Sequence, residues 1–432
     1  MRLEFHMVKI KDIQFGSETR IDSGILYINR EELQQRLMGD RRFRQVEIEV
    51  ARPGEKCRIY QVADVIEPRA KIRHDNEGDL GNGIGPQIGE GKTCVLQGAA
   101  VAIIDCREQQ EIAGSILPRG DIIDMSGPGS EMSPYGKTFN VVLLPKPKKG
   151  VNLLDYQAAL KMAGLNASAY LANAGKDLEP NETEIYDLPP LTQMKVGLEG
   201  LPRITYIFQI LSLQYEPIPG DPTLFGCQAG GIIPTILHPN QVLDGAITSA
   251  LPGLNVQTYG IQNHPIIKEL YRRHGQDLCF TGVIVTIAPN NVFEFDRMAD
   301  IAASLAKEVI GADGAILTKI GGGAPELAMA RTAQRCEQLG VKTAIAMLHM
   351  GADILDAKYG ATTIFSIPEV DAIVSMGVPF MKLTLPPVER VIGTQDSLSE
   401  GPSLRGEIVQ LLGAVKGSLC QLGNSCLTAV RD

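Results

Sequence analysis

The chain contains no tryptophan, no Cys-x-x-Cys pair, no Gly-x-Gly-x-x-Gly and no apolar run longer than a strand. Each absence except the first narrows the choices. No stretch approaches the ~20 apolar residues of a helical membrane span, so no membrane partner is expected. The start, Met1-Arg2-Leu3-Glu4-Phe5-His6, carries no apolar signal core, so a cytoplasmic location is expected. The eight cysteines, Cys57 to Cys426, lie far apart and read as reduced thiols, with Cys279 and Cys336 as small core residues. Positive charge is also in deficit. The formal net charge is -9, which disfavours nucleic acid and anionic membrane surfaces. Histidine and carboxylate spacing is too irregular for a metal motif, so no metal is expected.

What is present is enough chain for two or three domains: 432 residues, 44% apolar and 21% charged. Residues 1–150 read as a strand-rich domain. Arg44–Ala51 alternates, with Val46, Ile48 and Val50 on one face. Cys57–Val65 alternates less cleanly, Cys94–Asp105 reads as one strand buried on both faces, and Asn140–Leu144 as another. Glu31–Met38 predicts a short helix. Residues 151–226 read as a connecting region, with a helix over Leu153–Ala174 that Gly164 weakens, a surface connection over Glu179–Pro190 and a strand over Ile204–Leu213. Residues 276–432 predict a parallel α/β domain. Strands at Cys279–Ala288, Asp313–Ile320, Val341–Leu348 and Asp371–Met376 alternate with helices at Phe295–Ile310 and Glu326–Leu339. The expected fold class is therefore α/β: a strand-rich N-terminal domain, then a doubly wound, mostly parallel sheet with helices on both faces.

Three places can carry chemistry. The first is the glycine-rich loop Gly78–Gly91, which ends in Gly89-Glu90-Gly91-Lys92-Thr93. It fails as a phosphate loop because Pro86 stands where a glycine is needed and a strand follows instead of a helix. The second is Gly321-Gly322-Gly323, between a strand and a helix. There the backbone can approach a ligand at a helix N-terminus, with Asn290, Asn291 and His349 expected on the same edge. Its plainer reading is a tight turn. The third is the junction, 227–275. It holds Cys227, His238-Pro239-Asn240, Asp244-Gly245-Ala246, Thr248-Ser249, Asn263-His264-Pro265 and His274-Gly275. Proline fixes the backbone beside two of its histidines, which suits a preorganised site. His238 and Asp244 are the catalytic candidates. Asn240, Asn263, His264 and the three glycines are candidates for binding. His274 reads as a helix C-cap.

These residues also resemble a known family. Lys11-Asp12-Ile13-Gln14-Phe15-Gly16, Val65-Ile66-Glu67-Pro68-Arg69, Ile122-Ile123-Asp124-Met125-Ser126-Gly127-Pro128-Gly129, Asp244-Gly245-Ala246-Ile247, Arg273-His274-Gly275 and Val391-Ile392-Gly393 occur in order. Over nearly its full length the chain resembles the alpha and beta subunit proprotein of glycine, sarcosine and betaine reductase component B. The resemblance implies reductive cleavage of a C–N bond in a small amine. It also implies a covalent, self-derived pyruvoyl group as the cofactor, formed when the precursor cuts itself before a cysteine; its carbonyl takes the substrate amine as a Schiff base. It implies an oligomer, with a second component B subunit and a small selenoprotein A-like partner.

The chain departs from that pattern where it matters. The family's Asn-Cys pair should lie a few residues past Asp244-Gly245-Ala246-Ile247, but the chain continues Thr248-Ser249-Ala250-Leu251-Pro252-Gly253. Only Ser249 and Thr248 can supply a hydroxyl for the acyl shift, and Ser249 is the candidate taken from the pair. Cys227 is a second candidate upstream, beside the unhindered Gly226. An uncleaved chain is the third reading. It would be a binding or scaffold homologue that keeps the fold and partner surfaces without the pyruvoyl chemistry.

Overall fold

The computed structural model describes residues 1–72, 88–107, 121–214, 220–251, 256–348, 370, 372–394 and 402–423. Most of the glycine-rich loop, Pro252, Gly253, His349 and Asp371 lie outside them.

Two four-stranded sheets build most of the N-terminal part. One runs in the order Glu182–Asp187, Arg2–Lys9, Gly91–Gln97, Arg69–Ile72. The other runs Phe43–Ala51, Phe139–Pro147, Ala99–Ile104, Val62–Ile66. Val46, Ile48 and Val50 are buried on one face, as their alternation predicts. Helix Leu153–Asn173 lies on the second sheet and starts at Asn152, whose side chain accepts from the Asp155 amide at 2.9 Å. Gly164, which weakens this helix in isolation, is required by the packing. A Cβ there would stand 2.5 Å from Ile103 Cδ1.

The C-terminal part is built on a six-stranded sheet. Its order is Thr235–Leu237, Cys279–Ala288, Arg203–Ser212, Gly314–Lys319, Lys342–Met347, Ala372–Ser375. Every neighbouring pair is parallel except Thr235–Leu237 against Cys279–Ala288. The fold is thus α/β, as expected. Cys279–Ala288 is buried along its whole length, as a central strand covered on both faces must be. Helices Val292–Ser304 and Ala324–Gln338 cover one face through Ala302, Met329 and Ala333. The other face meets Val242, Ile261 and Leu270 of the junction and Leu3, Phe5 and Met7 of the first strand. The junction is therefore packed between the parallel sheet and the N-terminal sheet. The chain also returns late: Arg390–Ile392 pairs with Cys57–Ile59, and buried Arg58 binds Asp124 at 2.7 Å and Leu404 O at 2.6 Å.

Four local readings change. Cys57–Val65 is two strands, Cys57–Ile59 and Val62–Ile66, in different sheets, broken at Gln61 with its positive φ. Cys94–Asp105 is two strands in different sheets, not one, because Gly98 turns the chain at φ +88°. Glu182–Asp187 is an edge strand paired with Arg2–Met7, not a loose connection; its short acidic sequence hid the pairing. The helix expected at Phe295 begins at Val292, where the Asn291 side chain accepts from Phe293 N, and finishes as a π turn over Leu305–Ile310 before Gly311.

Candidate functional site

The junction residues separate into groups. His238 caps the short helix Pro239–Leu243: its Nδ1 accepts from Asn240 N at 3.2 Å and its Nε2 donates to Pro189 O at 3.2 Å. Burial pushes its imidazole down to about 4, so it stays neutral. Asn240 Nδ2 reaches the carbonyls of Met1, Gly89 and Tyr186, and its Oδ1 accepts from Tyr271. Asp244 is fully enclosed. It pairs with Lys71 and accepts from Gly89 N at 2.7 Å and Thr93 Oγ1 at 2.8 Å. Burial pushes its carboxyl up against the pull of Lys71. Asn240 and Asp244 pin the segment Gly89–Thr93 onto the junction, and a strand, not a helix, follows from Gly91.

His264 stands in the core, with its Nε2 3.0 Å from Tyr206 Oη and its ring edge-on to Tyr206 and Phe208. Burial pushes it down to about 3. Asn263 donates to Glu67 at 3.1 Å, beside the buried Glu67–Arg69 pair, whose arginine also donates to Leu243 O at 2.6 Å. His274 is a C-cap whose Nδ1 accepts from Phe280 N at 3.1 Å. Gly321–Gly323 forms a strand-to-helix turn. There Gln214 spans Gly322 O and Ala324 N, and buried Lys319 donates to Gly321 O at 2.5 Å and pairs with Glu326 at 3.2 Å. The positive end of that helix is thus met by the chain's own Gln214 and Glu326.

Cys227 is exposed. It closes a tight hairpin with Leu224 through paired backbone bonds of 2.8 and 3.1 Å. Phe225 and Gly226 both have positive φ at the turn. The arm before it pairs with the segment leading to Ser249: Phe225 N donates to Ala246 O at 2.7 Å and Thr248 N to Thr223 O at 3.0 Å.

Ser249 is the residue around which charge collects. It is completely buried. Its amide donates to Thr258 Oγ1 at 3.0 Å and its carbonyl accepts from Lys161 Nζ at 2.6 Å. Lys161 is also completely buried and pairs with Asp64 at 2.5 Å. Asp64 in turn accepts from the Thr258 hydroxyl at 2.6 Å, from its amide at 2.8 Å and from Val65 N at 2.9 Å. Strand Val62–Ile66 delivers Asp64, helix Leu153–Asn173 delivers Lys161, and the turn into helix Thr258–Gln262 delivers Thr258. The Ser249 hydroxyl donates to Val256 O at 2.7 Å and contacts Ala250 O at 3.3 Å. Buried Asp221 accepts from Leu251 N at 3.2 Å, and burial pushes its carboxyl up to about 6. A buried ion pair is expensive to desolvate, so one wrapped on a single serine makes that serine the candidate site.

Asp64, Lys161, Thr258 and Asp221 escape the reading of the sequence because nearly 200 residues separate the first from Thr258. One signal was available. Lys161 interrupts the apolar face formed by Leu160, Ala163 and Ala167, where a lysine needs a partner. Among the described residues no group of three or more His, Cys, Asp or Glu side chains is arranged to hold a metal, no cysteine is in a disulfide, and no helix is long and apolar enough to cross a membrane.

A family model described as glycine/sarcosine/betaine reductase component B subunits matches residues 1–416. The chain is 34% identical to the glycine reductase complex component B subunits alpha and beta of Acetoanaerobium sticklandii, over 99% of both chains. It is 35% identical to the sarcosine reductase complex component B subunit alpha of Peptoclostridium acidaminophilum, over 92% of this chain and 90% of the relative. The betaine reductase complex component B subunit alpha of the same organism is 30% identical over 96% and 95%. No solved structure matches the chain.

Proposed function

The chain belongs to the family of glycine/sarcosine/betaine reductase component B subunits, and on that premise we propose that it serves reductive C–N cleavage of a small amine within a multi-subunit complex. Its partners are a second component B subunit and a small selenoprotein A-like protein. We further propose that Ser249 replaces the missing cysteine as the self-processing residue. The observation that carries this is the buried Lys161–Asp64–Thr258 network closed on both ends of Ser249.

The groups suit the steps. The Ser249 hydroxyl adds to the Thr248 carbonyl carbon, the C–N bond breaks, and the hydroxyl proton ends on the Ser249 nitrogen. Thr258 Oγ1 already lies 3.0 Å from that nitrogen and can relay the proton. Loss of the Ser249 Cα proton then expels Thr248 as a carboxylate. Lys161, 2.6 Å from the adjacent carbonyl oxygen, draws electron density from that Cα–H bond. Water next replaces the nitrogen as ammonia and leaves a keto carbon. When formed, the pyruvoyl group supplies an electrophilic carbonyl for the amine. Lys161 would hold its neighbouring amide oxygen, with Asp64 paired to the lysine.

A second reading, the uncleaved homologue, is favoured by one feature. The Ser249 hydroxyl bonds forward to Val256 and Ala250, so it must rotate to reach Thr248. A denaturing gel with a carbonyl-specific hydrazide label separates the two. Maturation at Ser249 gives a cut chain whose smaller piece takes the label, unaffected by Cys227→Ala and abolished by Ser249→Ala. An unlabelled chain that stays whole at 46.7 kDa leaves the uncleaved reading. Release of ammonia, methylamine or trimethylamine from glycine, sarcosine or betaine by the reconstituted complex would identify the substrate.

A further inference from the structure

One carboxylate beside Ser249 has no role in these steps. Asp221 is completely buried. Its Oδ1 accepts from Leu251 N at 3.2 Å, but its Oδ2 has no hydrogen-bond partner among the described residues. Thr223, two residues on and also buried, has an unpartnered Oγ1. Both residues lie on the arm that pairs with the approach to Ser249.

The charges near Asp221 are Lys161 and Asp64. Lys161 is fully engaged by Asp64, Ser249 O and, at 3.3 Å, Thr258 Oγ1. Both oxygens of Asp64 are occupied. That pair neutralises itself. Among the described residues Asp221 is then a buried acid with no counter-ion of its own and one open acceptor. Buried carboxylates without a partner are rare because desolvation is costly, and a cation from outside the chain would supply one.

We propose that Asp221 Oδ2, with Thr223 Oγ1 as a second acceptor, is a receptor for the ammonium group of a small amine that carries at least one N–H. This rests on the amine-substrate reading above and narrows it. Open acceptor atoms reward N–H donors. A quaternary ammonium has none and is held instead by aromatic faces, whereas the polar groups acting on Asp221 among the described residues are the Leu251 amide, Lys161 and Asp64. The site therefore selects primary and secondary amines over quaternary ones.

Calorimetric titration of the purified full-length protein at pH 8 tests this, with methylammonium, dimethylammonium, tetramethylammonium and potassium chlorides as probes. Methylammonium and dimethylammonium should bind saturably. Tetramethylammonium and potassium should bind at least tenfold more weakly. Asp221→Asn should weaken methylammonium at least tenfold, and Thr223→Val severalfold. Absence of saturable binding, equal binding of tetramethylammonium or potassium, or full binding by Asp221→Asn would each overturn the proposal. Comparing the four probes on Ser249→Ala, which forms no carbonyl to condense with amines, keeps the test decisive if the Asp221 or Thr223 variant does not fold. Intact masses of the same samples keep the two proposals separate. An uncut chain that selects methylammonium retains the ammonium site and loses maturation at Ser249; a cut chain indifferent to Asp221→Asn does the reverse.

Discussion

Replacing Asp221 with asparagine should stabilise the protein at pH 8. Asp221 titrates near 3.8 when unfolded, and burial pushes it up to about 6 in the fold. That difference of roughly 2 pH units corresponds to about 3 kcal/mol. The native state holds the proton more tightly, so stability falls as pH rises from about 4 to 6. The full cost is then present at higher pH. Asparagine carries no such cost but leaves a buried amide donor short of a partner, worth about 1 kcal/mol. The net gain is about 1–2 kcal/mol at pH 8 and close to zero at pH 4. With no tryptophan in the chain, urea unfolding followed by circular dichroism is the natural assay. The midpoint of Asp221→Asn should exceed wild type at pH 8, with the gap closing by pH 4.5 at unchanged slope. A lower midpoint at pH 8, or a gap independent of pH, would refute the reasoning. A residue that costs stability yet binds ligand is a common functional compromise.

Lys161→Met strands Asp64 in the core and removes the donor to Ser249 O, so it should destabilise by about 3–5 kcal/mol in thermal unfolding. Gly164→Ala gains roughly 1 kcal/mol of helix propensity but drives a methyl into Ile103 and Ile66, an overpacking of about 1–3 kcal/mol, so its melting temperature should fall. His264 is held neutral down to about 3; the unfolded chain takes up its proton first, so this residue withdraws stability as pH falls below about 6.5, by up to about 5 kcal/mol near pH 3. His264→Phe should flatten the acid limb of the urea-midpoint profile.

The frame of the C-terminal sheet was legible because its strands are continuous apolar runs separated by capped helices. Cys279–Ala288 is buried throughout, and Gly311 stands past its helix as a left-handed stop. Where the signal was non-local, local patterns misled. Gly98 is one glycine in an apolar run, and only the pairing of its two flanks in different sheets reveals the turn. Glu182–Asp187 has no apolar face to announce a strand. In the junction, the dense His, Asn and Asp motifs were visible, but His238, Asn240 and Asp244 spend their donors and acceptors holding a short helix and the Gly89–Thr93 segment. Ser249 stood out as a hydroxyl near the place where the family resemblance implies a cut. Its surroundings did not, because Asp64, Lys161 and Asp221 come together only after three separate elements have packed.

Intact-mass spectrometry of the purified, unmodified protein decides whether Ser249 processes the chain. Two pieces are expected, residues 1–248 and a 249–432 piece whose N-terminal residue has lost nitrogen and carries a carbonyl. A single chain of 46.7 kDa, or a cut at any other bond, would contradict processing at Ser249.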